Sequence, residues 1–155
     1  MMKRILAVLT TVVVCMTLAA CSNGESQEVK DYRDSAAVSY FIDGSAFDDL
    51  LTMAQAEGDA DKAREAGTRI ATKMGELSEV QSPESCIEAQ TSLVKASDSI
   101  GKAATCYYKC AELYQNAMID LDTNSLTEYN SLLKDAGNSQ EEAIKLVEQA
   151  KSELS

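Results

Sequence analysis

The chain has 155 residues, carries 14 basic against 25 acidic side chains, and contains neither histidine nor tryptophan. Without histidine there is no Ser-His-Asp or Cys-His catalysis, no imidazole ligand for zinc or haem, and no Glu-x-x-His di-iron site of the kind many helical bundles carry. A net charge of −11 argues against nucleic acid and against adhesion to anionic lipid headgroups.

Residues 1–21 fall into three parts. Lys3 and Arg4 form a basic start, Ile5 to Leu18 is almost entirely apolar or hydroxyl-bearing, and Ala19-Ala20-Cys21 is a small-residue end. That is the plan of a secretory signal, and the run is short of the roughly 20 apolar residues a spanning helix needs. The end of the run, Leu18-Ala19-Ala20-Cys21, resembles the lipobox of bacterial lipoproteins. The resemblance implies a signal peptide over 1–20, diacylglyceryl modification of the Cys21 thiol, and cleavage just before it. It places the protein on the outer side of a bacterial cell membrane, or on an outer membrane, held by lipid. One acyl chain, palmitate for example, holds a protein only marginally, whereas two or three on one cysteine anchor it stably. The resemblance, over residues 1–21, covers about a seventh of the chain and says nothing of the rest. Removing the leader leaves 12 basic against 25 acidic residues, a net −13.

Residues 21–30 are polar, with Gly24 and little to bury, and read as a flexible tether of roughly 30 Å at full stretch. A helical domain then occupies 31–155. Ala36, Tyr40, Phe47, Leu50 and Ala54 recur at three- or four-residue steps, which predicts a first helix over about 33–57 with a weak point at Asp43-Gly44. After Glu57-Gly58, Asp59 or Asp61 caps a second helix whose apolar face is Ala63, Ala66, Ile70, Met74 and Leu77, with Val80 near its end.

Ser82-Pro83-Glu84 presents a hydroxyl N-cap, a proline at the first helical position and an acid in the first turn. The helix it opens is expected to run over about 83–120. Cys86, Leu93, Ile100, Tyr107, Tyr114 and Leu121 recur at sevens, with Ala89, Ala96, Ala103, Cys110 and Ala117 between them. This is a sustained coiled-coil heptad with small residues along one seam. Gly101 marks the place where it would bend. Asp122 opens a turn and a final helix with the same spacing, Leu126, Leu133, Gln140, Val147 and Leu154 alternating with Tyr129, Ala136, Ala143 and Ala150. Gly137 and Gln140 interrupt its middle opposite Ile100-Gly101, which predicts a thin polar layer there if the two helices pair antiparallel.

The fold class is therefore all-α, an antiparallel up-down bundle of three to four helices with two long heptad-patterned ones. Cys86 and Cys110 read as small buried seam residues with Cys106 at the seam's edge; the alternatives are a redox pair at Cys106 and Cys110 and a disulfide from Cys86. Tyr107 and Tyr114 belong to the seam, whereas Tyr108 lies off it. The adjacent acids Glu141-Glu142 and Asp48-Asp49 splay on a helix and read as solvated faces, with no metal site and no cofactor. The functional reading is a non-enzymatic, lipid-anchored bundle that acts as adaptor, spacer or interaction module for an envelope protein, or that self-associates through its seams. The second is a small-ligand or cation binder using the layer around Ile100, Gly101, Gly137 and Gln140. Thiol chemistry at Cys106 and Cys110 is the one enzymatic reading these residues permit.

Overall fold

A computed structural model describes residues 26–155, so Leu18-Ala19-Ala20-Cys21 and residues 22–25 lie outside the described residues. The described chain is all-helical, with six α-helices: α1 Gln27–Arg33, α2 Ala36–Ile42, α3 Ser45–Ala54, α4 Ala60–Glu79, α5 Ile87–Tyr114 and α6 Thr123–Glu153.

The first helix expected from periodicity over 33–57 is in fact two, α2 and α3, and α1 precedes them. Asp34 ends α1, and its N–H bonds the Lys30 carbonyl. Asp43 ends α2 in the same way, and Gly44 at φ +93° turns the chain into α3. The apolar spacing survives these breaks because each one costs only a residue or two of polar connection. Helix α1 also begins within the expected tether, since Ser26 Oγ accepts from the Val29 N–H at 3.3 Å and caps it. Tyr32 explains why that turn folds: its ring is buried in the core and its hydroxyl donates to Gln90 Oε1 on α5.

Asp59 is the cap of α4, with its carboxylate accepting from the Lys62 N–H at 2.9 Å. The face Ala63, Ala66, Ile70 and Leu77 is buried, as the 3.6-residue period requires. Leu50, Ile70, Leu77, Leu93, Ile100, Phe41, Val38 and Cys86 are fully buried and form the centre of the core. That core sits where α1–α4 cover the N-terminal half of α5.

Two expectations for the long helix need correction. Pro83 is extended at ψ 153°, Ser82 provides no cap, and a 3₁₀ turn over Glu84–Cys86 precedes the α-helix at Ile87. The helix runs through Gly101 without a break. It ends in a π turn over Gln115–Ile119, closed by Asp120 N–H to the Gln115 carbonyl at 3.0 Å. The wider turn breaks the phase of the sevens, and Leu121 follows at φ +56° with 69% of its surface exposed, off the seam it was assigned to.

Helix α6 returns along α5. Ser92 donates to Glu153 at 2.8 Å, Tyr107 to Gln140 at 3.1 Å, and the Cys110 thiol faces the Tyr129 carbonyl at 3.8 Å, so rising numbers on one helix meet falling numbers on the other. Ala89, Ala96, Ala103 and Ala117 on one side, and Ala136, Ala143 and Ala150 on the other, are all fully buried. Small residues at these positions let the two backbones approach closely. Towards the distal end the cover thins: Leu133 is exposed and Leu126 half-exposed, because α1–α4 do not reach that far.

Candidate functional site

A groove of about 740 Å³ lies between α4 and α5, floored in part by α3. Its floor is Ile70 with the side chains of Met53 and Met74. Two glycines sit against those thioethers: a Cβ on Gly67 would lie 3.2 Å from Met53 Cε, and one on Gly101 3.1 Å from Met74 Cε. Each glycine costs a helix interior about 1 kcal/mol relative to alanine. A Cβ at either position would push the methionine methyl aside by a few tenths of an ångström. Ala63, Ala71 and Ala104 complete the small-residue walls.

The polar groups lie on the rim. Arg64 from α4 reaches across to α5, where Nη2 donates to the Tyr108 hydroxyl at 3.1 Å and the guanidinium stands 5.9 Å from the ring centroid. Asp61 holds the other side of the guanidinium at 2.7 Å. Asp98 and Lys102 flank the opposite end, one helical turn apart on α5. Thr68 and Thr105 also line the walls, but each hydroxyl donates to the carbonyl one turn back, Arg64 and Gly101 respectively. Their methyl groups are what the groove can use.

The cavity expected around Ile100, Gly101, Gly137 and Gln140 is not where the sequence put it. Ile100 is fully buried, and Gly101 opens towards α4 and not towards α6. Gly137 has no atom within 4 Å of a built Cβ, and Gln140 accepts from Tyr107 while lining a separate cleft of about 280 Å³ with Phe47 and Val147. The two interruptions of the long helices therefore belong to different faces.

Asp48-Asp49 also divides. Asp48 is exposed, but Asp49 is only 9% exposed and anchors a network that ties three helices together. It accepts from Tyr40 on α2 at 2.7 Å and from Arg69 on α4 through Nε at 3.0 Å and Nη2 at 2.6 Å. Burial, then the bond to Asp49, pushes the Tyr40 phenol well above its ordinary range. Nothing in the local pattern separates the two acids; only the position of Arg69 twenty residues later does.

Cys86, Cys106 and Cys110 are free thiols, with Cys86 and Cys110 buried and Cys106 half-buried. Burial, then the neighbouring Cys106, pushes the Cys110 thiol up to about 11, and burial also raises Cys106. Reactive cysteines are shifted the other way. Among the described residues no three Cys, Asp or Glu side chains gather in a cluster fit for a metal, and no helix is long and apolar enough to cross a membrane. Compared with family models, curated proteins and solved structures, the chain has no match.

Proposed function

We propose that this chain is a lipid-anchored, extracytoplasmic, non-enzymatic binding module of the bacterial cell envelope, with the groove between α4 and α5 as its contact surface. The observation that carries the reading is that groove. Its volume lies within the range of ligand pockets, its walls are apolar, and its few polar groups sit on the rim. A floor of two methionines suits a surface that adapts to what it binds.

The architecture behind it is an antiparallel up-down bundle, in which α1–α3 act as one interrupted rod beside α4, α5 and α6. Cys21 precedes Ser26 by five residues, and α1 packs on the 3₁₀ turn that begins α5. The groove starts at Asp98, about 17 Å further along α5. The lipid attachment at Cys21 thus holds one end of the rod at the membrane while the groove stands clear of it. With the acidic surface repelling anionic headgroups, an envelope protein or another ligand reaches the groove from the aqueous side.

Two measurements test the proposal. Intact-mass analysis of the membrane-extracted protein should find a chain beginning at diacylglyceryl Cys21; an unmodified Cys21 still joined to Ala20 sinks the anchor. A photoreactive side chain placed at Asp98 in whole cells should give a discrete adduct that one at Glu128, on the distal part of α6, does not. Equal labelling from both positions, or none from Asp98, removes the groove from the proposal.

A further inference from the structure

Helix α6 carries a second apolar stripe besides the alanine seam that faces α5. Leu126, Leu133, Gly137 and Ile144 follow one another at steps of seven, four and seven, which puts them on one face over about 27 Å. Leu133 is 37% and Ile144 45% exposed, and Leu126 is partly exposed. Beyond α5, cover for α6 comes from Ile42 and Phe47, at the cleft they share with Val147. Towards Leu133 and Leu126 that cover ends. A glycine in mid-helix costs about 1 kcal/mol relative to alanine. Yet a Cβ on Gly137 would meet no atom within 4 Å, so nothing among the described residues uses the space it leaves.

The charges beside the stripe select what covers it. Lys134 and Glu141 border it on the side away from α5, and both are exposed. They stand seven residues apart, about 10.5 Å along the helix, too far to pair within one chain. Neither forms an ion pair among the described residues. A second α6 laid antiparallel brings them together. In the register where facing residue numbers sum to about 277, Leu133 meets Ile144 of the second copy and Gly137 meets its Gln140. The same register sets Lys134 beside Glu141, and two-fold symmetry makes every contact occur twice. An apolar layer, a long side chain over a glycine and opposite charges at the edge thus coincide. In a parallel pair Lys134 and Glu141 would face Tyr129 and Ala136, which carry no charge.

We infer that α6 pairs antiparallel with α6 of a second copy of this chain, through the Leu133–Gly137–Ile144 stripe and two reciprocal Lys134–Glu141 ion pairs. This face is separate from the α4–α5 groove, and each stands or falls without the other. One helix pair of this length covers less than the roughly 800 Å² per partner of a standard interface, so the dimer is weak in solution and strengthened by confinement at a membrane. Antiparallel pairing sets the two α1 ends about 45 Å apart. A pair held by both lipids therefore lies along the bilayer, and residues 21–25, about 17 Å at full stretch, let it stand off the surface.

The test uses the full chain in whole cells, with a photoreactive side chain at Asn130, an exposed position beside the stripe. It should give an adduct of twice the chain mass whose cross-linked peptide lies within residues 140–151 of the second copy. The same group at Glu128, nine residues from Gly137 and half a turn round the helix, should give none. Lys134→Glu and Glu141→Lys should each lower the yield about fivefold, and the double variant Lys134→Glu/Glu141→Lys should restore it. A monomer merely unfolded by the single changes would not be rescued by the second, and an unchanged urea midpoint checks that both singles fold. Absence of the homodimeric adduct, or an adduct at another mass only, overturns the inference. A cross-link within residues 126–133 overturns the antiparallel register, and failure of the double variant to restore the yield overturns the ion pair.

Discussion

Removing the Arg69 guanidinium should unlock three helices at once. Asp49 accepts two bonds from Arg69 and one from Tyr40, so its carboxylate joins α2, α3 and α4. Arg69→Leu keeps the aliphatic stem and deletes both charge-assisted bonds, leaving a mostly buried carboxylate with a phenol as its remaining partner. A hydrogen bond to a charged group contributes about 1.5–3 kcal/mol. Arg69 is 47% exposed on its side chain, and water screens and replaces part of what is lost, so the pair of bonds together is worth about 2 kcal/mol. Tyr40→Phe removes one bond from the same carboxylate and should cost about 1 kcal/mol. Urea unfolding at neutral pH reads both as a fall in midpoint with an unchanged slope. In a double-mutant cycle the two losses should be non-additive, because they share Asp49. An Arg69→Leu loss below about 0.5 kcal/mol would place the pair among ordinary surface ion pairs and refute the claim that the network clamps the helices.

Leu93→Ala, at a fully buried position of α5, should cost about 2–5 kcal/mol by urea unfolding, against almost nothing for Leu51→Ala, whose side chain is exposed. Gly58→Ala should destabilise by about 1–2 kcal/mol, because φ is +92° there and the new methyl would meet Tyr114 Cδ1 at 3.1 Å. Leu121→Asn should raise the unfolding midpoint slightly, since asparagine tolerates the left-handed φ of +56° and no buried surface is lost; a fall would mean that the exposed leucine packs on something in solution. The Cys110 thiol titrates near 11 when folded against 9 ordinarily, so between those values the unfolded chain holds fewer protons. Stability from this group is complete below pH 9 and falls as pH rises towards 11, and Cys110→Ala should remove that part of the alkaline slope.

Local pattern determined the helical class, the cap of α4 and the alanine positions of the long seam. Asp59 caps α4 because a carboxylate one residue ahead of a helix meets an N–H that has no other partner, and that is decided within four residues. The buried alanines of α5 and α6 follow from a seven-residue spacing that any close pair of helices enforces.

Tertiary structure decided the rest. Whether 33–57 forms one helix or two turns on where Tyr32 and Phe41 find cover, which no window of a dozen residues contains. The sevens failed at Leu121 because a π turn inserted itself where α5 runs out of covering helices, and the spacing of apolar residues carries no record of how far its neighbours extend. Above all, the groove exists because Met53 and Met74 lie over Gly67 and Gly101, residues 14 to 27 positions apart in the chain. Gly101 was visible in the sequence as an interruption, but a glycine in a helix does not say which side it opens to. Only the packing of α4 against α5 made it one wall of a groove.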